Sequence, residues 1–197
     1  MKPLRISVLT LCACFVSVAQ AQQPTCKAHT PWAEFHRHNT RRSNPCEKVL
    51  NVNNVGNLVS KWSYTTLGSV YSEPAIANGM VYVGSQDHNV YALNADTGAK
   101  VWSYTTGGAV ESSPAVANGV VYVGSEDFKV YALNAHTGNK LWSYTTGNHL
   151  VSRLVPPNGV VSSPAVANGV VYVASEDQNV YALNAHTGAK LWSLRYK

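Results

Sequence analysis

From about residue 61 onward the chain is built of short apolar runs separated by polar turns. Residues 120–124 read Val-Val-Tyr-Val-Gly, 130–134 read Val-Tyr-Ala-Leu-Asn, and 141–146 read Leu-Trp-Ser-Tyr-Thr-Thr. Runs of this length, rich in β-branched and aromatic side chains, predict strands and not helices. Their consecutive apolar positions leave neither face polar, which predicts sheets packed on both sides. Turn residues divide the runs. Asn118-Gly119 is the strongest two-residue hairpin signal, Ser125-Glu126-Asp127 is a polar turn, and Thr137-Gly138 leads into the last run.

The pattern repeats. The twelve residues starting at Ser112 recur letter for letter at 162–173, and recur with small changes at 72–83, so that Pro74, Pro114 and Pro164 are offset by 40 and then 50 residues. Helical repeats of similar period are excluded by the strand-length runs between Gly-containing turns. Four antiparallel strands at a 40-residue period predict a β-propeller blade. The fold class expected is therefore all-β: a propeller of four-stranded antiparallel blades, with three complete blades at about 70–106, 110–146 and 160–196. One extra outer strand precedes them at 61–66, so the ring is incomplete or closed by a second copy.

Ahead of the repeats, Lys2 and Arg5 are followed by an apolar run at 6–18 and then by Ala19-Gln20-Ala21. This reads as a secretory signal peptide over 1–21, too short for the roughly 20 apolar residues of a membrane span. A cut before Cys14, giving a lipoprotein, is the minor alternative. Localisation is read as exported, periplasmic or secreted. Residues 22–60 form a lead-in, and 61–197 hold the repeats.

Composition sharpens this picture. The chain has 197 residues, 45% apolar, with eleven Tyr and five Trp against three Phe, a balance suited to half-buried strands. The net charge of +5 could suggest a nucleic-acid partner. Its location argues otherwise. Basic residues exceed acidic ones in the leader and between residues 22 and 48, while the rest of the chain holds eight of each sign. With no basic stripe, no nucleic-acid partner is expected. Once the leader is removed only Cys26 and Cys46 remain, and in an exported chain such a pair is read as a disulfide contributing about 3 kcal/mol. The Cys and His residues between 26 and 46 match no tight metal-ligand spacing.

The segment Ala92-Leu93-Asn94-Ala95-Asp96-Thr97-Gly98-Ala99-Lys100-Val101-Trp102 resembles the tryptophan-docking motif of the pyrroloquinoline-quinone-like (PQQ-like) β-propeller repeat family, A-x-D-x-x-T-G-x-x-x-W. Two further copies run over 132–142 and 182–192, and all three place Asn (Asn94, Asn134, Asn184) where the family has Asp. The resemblance implies that Trp62, Trp102, Trp142 and Trp192 serve as docking residues, each stacking on a Thr-Gly turn of a neighbouring blade at Gly98, Gly138 or Gly188. Members of this family include quinoprotein alcohol dehydrogenase propellers and an outer-membrane assembly lipoprotein. The dehydrogenases use an adjacent cysteine pair and a calcium shell, and no adjacent cysteines exist here.

Candidate ligand contacts are the loop residues on the face that joins blades: Asp87, Asp127 and Asp177 in the turns, with His149 and Arg153 in the ten-residue insertion. Asp favours such turns for local hydrogen-bonding reasons, so the turn reading stands beside the binding one. If these turns need a positive φ at the next residue, where the family often has Gly, then His88, Phe128 and Gln178 are mildly strained. No catalytic, cofactor-binding or metal residue is assigned. The function expected is a binding or scaffold module, as a truncated member of its family, with a protein partner or self-association through open blade faces. The alternative is a fragment of a PQQ-dependent alcohol or sugar dehydrogenase, and only under it are PQQ and calcium cofactors.

Overall fold

A computed structural model describes residues 53–147 and 159–196. Among these residues, twelve strands form three four-stranded antiparallel sheets, each a simple meander. The first blade holds β1 (Ala75–Ala77), β2 (Met80–Gly84), β3 (Asn89–Asn94) and β4 (Lys100–Thr105). The second holds β5 (Ala115–Ala117), β6 (Val120–Ser125), β7 (Lys129–Asn134) and β8 (Lys140–Thr145). The third holds β9 (Ala165–Ala167), β10 (Val170–Ser175), β11 (Asn179–Asn184) and β12 (Lys190–Arg195). Among the described residues there is no α-helix, and no helix is long and apolar enough to cross a membrane.

Local chemistry explains each element. The β1–β2, β5–β6 and β9–β10 hairpins turn at Asn-Gly pairs in which both residues take positive φ, for example Asn118 at 49° and Gly119 at 76°. That is the geometry whose twist matches the flanking strands. Proline precedes the short first strand of each blade, where its missing N–H interrupts no ladder. In β7 the four central residues are all buried, as expected of a strand covered on both faces.

The core lies between blades. Tyr82, Val90 and Trp102 of the first blade pack on Val121, Val123 and Leu133 of the second. Tyr122, Val130 and Ala132 of the second pack in the same way with Val171, Val173 and Leu183 of the third. The short strands β1, β5 and β9 lie side by side, and hydrogen bonds join the segments just before them: Glu73 N–H donates to Ser113 Oγ at 2.9 Å and Ser113 N–H to Ser163 Oγ at 3.1 Å. The three blades form an arc that does not close into a ring.

Residues 61–66 take up the position of an outer strand before the first blade, but among the described residues they form no backbone ladder. Their side chains hold the position instead.

Candidate functional site

Each docking turn is organised by its asparagine. Asn94 Oδ1 accepts from Asp96 N–H and Thr97 N–H, both at 2.9 Å, and Asn134 and Asn184 repeat the pair of bonds at 2.9 Å. Only an acceptor oxygen is needed for these bonds, so an amide serves as well as a carboxylate. The glycine that follows has φ of 72° to 74°. A Cβ on Gly98, Gly138 or Gly188 would lie 2.7 Å from the ring of Trp62, Trp102 or Trp142 respectively, so the indole rests directly on the turn.

Two donors converge on one carbonyl at each interface between blades. Trp102 Nε1–H and Tyr82 Oη–H both donate to the Ala135 carbonyl at 3.0 Å. Trp142 and Tyr122 do the same to the Ala185 carbonyl at 3.0 and 3.1 Å. The rings of each pair lie 5.8 to 5.9 Å apart. Among the described residues, Trp62 is the one side chain that donates to the Ala95 carbonyl, at 3.0 Å. Sequence reasoning missed the tyrosine of this pair, although Tyr82, Tyr122 and Tyr172 sit at one repeat position and the signal was there.

The turn aspartates face inward. Asp87 Oδ2 accepts from Leu67 N–H at 2.9 Å and from Tyr91 Oη–H at 2.7 Å, while Oδ1 accepts from Asn89 N–H at 3.1 Å. Asp127 binds Gly107 N–H at 3.0 Å, Lys129 N–H at 3.1 Å, and the Tyr131 hydroxyl. Asp177, only 1% exposed, binds Asn179 N–H at 2.9 Å and the Tyr181 hydroxyl. Each carboxylate thus closes its own turn, and Asp87 and Asp127 also hold the segment leading into their blade. Burial raises the Asp87 carboxyl, but hydrogen bonds from Tyr91, Leu67 and Asn89 outweigh it and hold the group below its usual range. Burial first, and then the aspartate partner, pushes the Tyr91 and Tyr181 phenols up to about 12. The residue after each Asp lies in the left-handed region, with His88 at 70°, Phe128 at 66° and Gln178 at 70°.

Nearby, burial and the charges of Glu111 and Glu176 raise the Glu126 carboxyl, with His88 opposing. Gln86 Nε2–H donates to Glu111 Oε1 at 2.7 Å. Among the described residues no group of three or more His, Cys, Asp or Glu could hold a metal ion. His149, Arg153, Cys26, Cys46 and the 1–21 leader lie outside the described residues.

On the third blade the same aromatic pair has no blade packed over it among the described residues. Tyr172 and Trp192 lie 6.0 Å apart in the same tilted arrangement, but among the described residues no carbonyl accepts from them. Trp192 is 47% exposed where Trp102 is 8%, and Leu194, at the repeat position of Tyr104 and Tyr144, is 66% exposed. Unlike Trp62, Trp102 and Trp142, Trp192 rests on no glycine turn among the described residues.

The family model for outer membrane protein assembly factor BamB matches residues 47–156 and 145–197. Among solved structures, the fold is similar to that of BamB from Moraxella catarrhalis, with a TM-score of 0.58 and 22% identity over 68% of this chain and 40% of that one. It is similar to a europium-containing methanol dehydrogenase, with a TM-score of 0.70 and 22% identity over 85% of this chain and 32% of that one. For the quinohemoprotein alcohol dehydrogenase of Comamonas testosteroni the TM-score is 0.67, with 24% identity over 84% and 27%. At these identities the likeness is one of fold, and the chain spans less than half the length of each. No curated protein matches the chain.

Proposed function

The chain belongs to the family described as outer membrane protein assembly factor BamB, and from that premise we propose that it is an exported propeller-repeat module that works by holding another protein. The observation that carries this reading is the open face of the third blade. Tyr172 and Trp192 offer two convergent donors, and Leu194 an apolar contact, at the positions where the first two blades hold their neighbours. A protein-handling role also accords with the family's description, and export with the leader pattern at 1–21.

The competing reading is a piece of a PQQ-dependent alcohol or sugar dehydrogenase, favoured by the higher structural likeness to methanol dehydrogenase. The two readings separate in one assay, in which the purified chain is incubated with calcium and pyrroloquinoline quinone and tested for dye-linked oxidation of alcohols and sugars. The expected outcome is no turnover above a protein-free control. Sustained oxidation would overturn the binding reading.

A further inference from the structure

The two ends of the arc are the two halves of an interface that the molecule already makes twice internally. On the leading face of the first blade, Ile76, Val81 and Val83 occupy the repeat positions of Val116, Val121 and Val123, which lie buried between the first and second blades. Ile76 is 41% exposed where Val116 is 7%, and Val81 and Val83 are half-buried. On the trailing face of the third blade, half-buried Tyr172 and exposed Trp192 and Leu194 hold the repeat positions of Tyr122, Trp142 and Tyr144, with no blade packed on them among the described residues. Each end displays what the other lacks.

We propose that the trailing face is occupied by the first blade of a second copy of this chain, docked head to tail, with Trp192 replacing Trp62 over Gly98. This rests on the protein-binding reading above and names the partner. The Gly98 turn is the one whose occupant is least firmly held. Trp62 arrives on a segment without a ladder, anchored by one bond to the Ala95 carbonyl, the Tyr64–Tyr91 contact and an exposed Lys61–Asp96 ion pair at 3.0 Å. Exposed pairs of that kind contribute little. Trp192 comes instead on a strand of a complete sheet, with Tyr172 beside it as a second donor for the same carbonyl. A head-to-tail contact is heterologous, so it builds a ring or a filament according to its rotation.

Two residues hold this association in check. Trp62 competes for the Gly98 turn. Ala174 occupies the repeat position of Gly84 and Gly124, and a Cβ on those glycines would lie 2.4 Å from Val110 Cγ1 and from the Val160 carbonyl oxygen. Val70 holds the same repeat position as Val110 and Val160. An incoming copy therefore meets the Ala174 methyl with its Val70, where the two internal interfaces have space.

The test is light scattering of the full chain over a dilution series. The wild-type mass should rise with concentration, and Trp192→Ala should remain monomeric. Trp62→Ala and Ala174→Gly should each strengthen association, the first by roughly tenfold or more, as expected when an indole competitor is removed. Circular dichroism checks the fold of each variant. Asp96→His, an exposed change that removes the partner of Lys61 and gives the first turn the sequence of the other two, replaces Trp62→Ala should that variant not fold. Monomers in every variant, or Trp192→Ala associating as the wild type does, would overturn the proposal. Association that depends on Trp192 but is unmoved by the other variants would also overturn it, because it would mean two trailing faces packed together. In none of these outcomes would the binding reading fall, since that depends on redox turnover.

Discussion

At the scale of single residues, backbone conformation decides more than side-chain chemistry. His88 holds a φ of 70° while its side chain is exposed, so the strain is not recovered by packing. The left-handed region costs a non-glycine residue about 1–2 kcal/mol, and glycine returns about 0.5–1 kcal/mol of that through the flexibility of the unfolded chain. His88→Gly should therefore raise stability by about 0.5–1 kcal/mol, read as a higher urea midpoint at unchanged slope. Gly138→Ala should act in the opposite direction and more strongly. It combines a φ of 74° with a Cβ 2.7 Å from the Trp102 ring, so a loss of about 2–4 kcal/mol is expected. The tyrosines give a pH dependence of definite sign. Unfolded phenols titrate near 10, whereas Tyr91 and Tyr181 hold their protons up to about 12. The folded state binds those protons more tightly, so the stabilisation is complete below pH 10 and is lost as pH rises from there toward 12. Alkaline unfolding followed by tyrosinate absorbance should fall in that window, and should be shallower in Tyr91→Phe. Asp87 works from the acid side, because its lowered carboxyl stabilises the fold above the ordinary carboxylate range and ceases to do so as it is protonated.

At the scale of elements, the contrast between β4 and β12 shows what a docking strand contributes. The two carry the same tryptophan position, buried in one and half-exposed in the other. Trp102→Ala removes an indole buried between two blades together with its bond to Ala135, and should destabilise by about 3–5 kcal/mol. Trp192→Ala should cost under about 1 kcal/mol, because that ring is not covered. Equal losses in chemical denaturation would mean that β12 is buried in solution. The strands and hairpins themselves were legible in the sequence because the turn residues and the 40-residue repeat agree with one another. Asn118-Gly119 marks its hairpin, and the buried run of β7 reads as apolar on both faces. The register shift between Ala92 and Leu93, opposite Trp102, carried no such mark, since a bulge there changes no residue type. Nor did the sequence show that residues 61–66 lack a ladder. A ladder is a property of the partner strand, and the local pattern at Trp62 matches that at Trp102. The roles of Asp87 and Asp127 were open for a similar reason: a carboxylate in a turn looks the same whether it faces solvent or a tyrosine hydroxyl four residues on.

At the scale of the whole molecule, a stack of blades behaves as a one-dimensional array in which each unit is stabilised by its neighbours. The second blade is covered on both faces, and Val121, Val123, Val130 and Leu133 are all fully buried there. Among the described residues the third is covered on one face, and every residue of β12 is exposed. The first is intermediate, because Trp62 and Tyr64 cover part of its leading face. Local opening should follow that order, since segments with few buried contacts open at a small fraction of the global free energy. In native-state hydrogen exchange the amides of β7 should be the slowest, those of β3 next, and those of β11 and its partner β12 the fastest. Head-to-tail docking would change this ranking in one specific way. Raising the protein concentration would slow β11 and β12 while leaving β7 unchanged, because only the trailing face gains a neighbour. A concentration-independent profile with β11 as slow as β7 would show instead that the third blade is covered within a single chain.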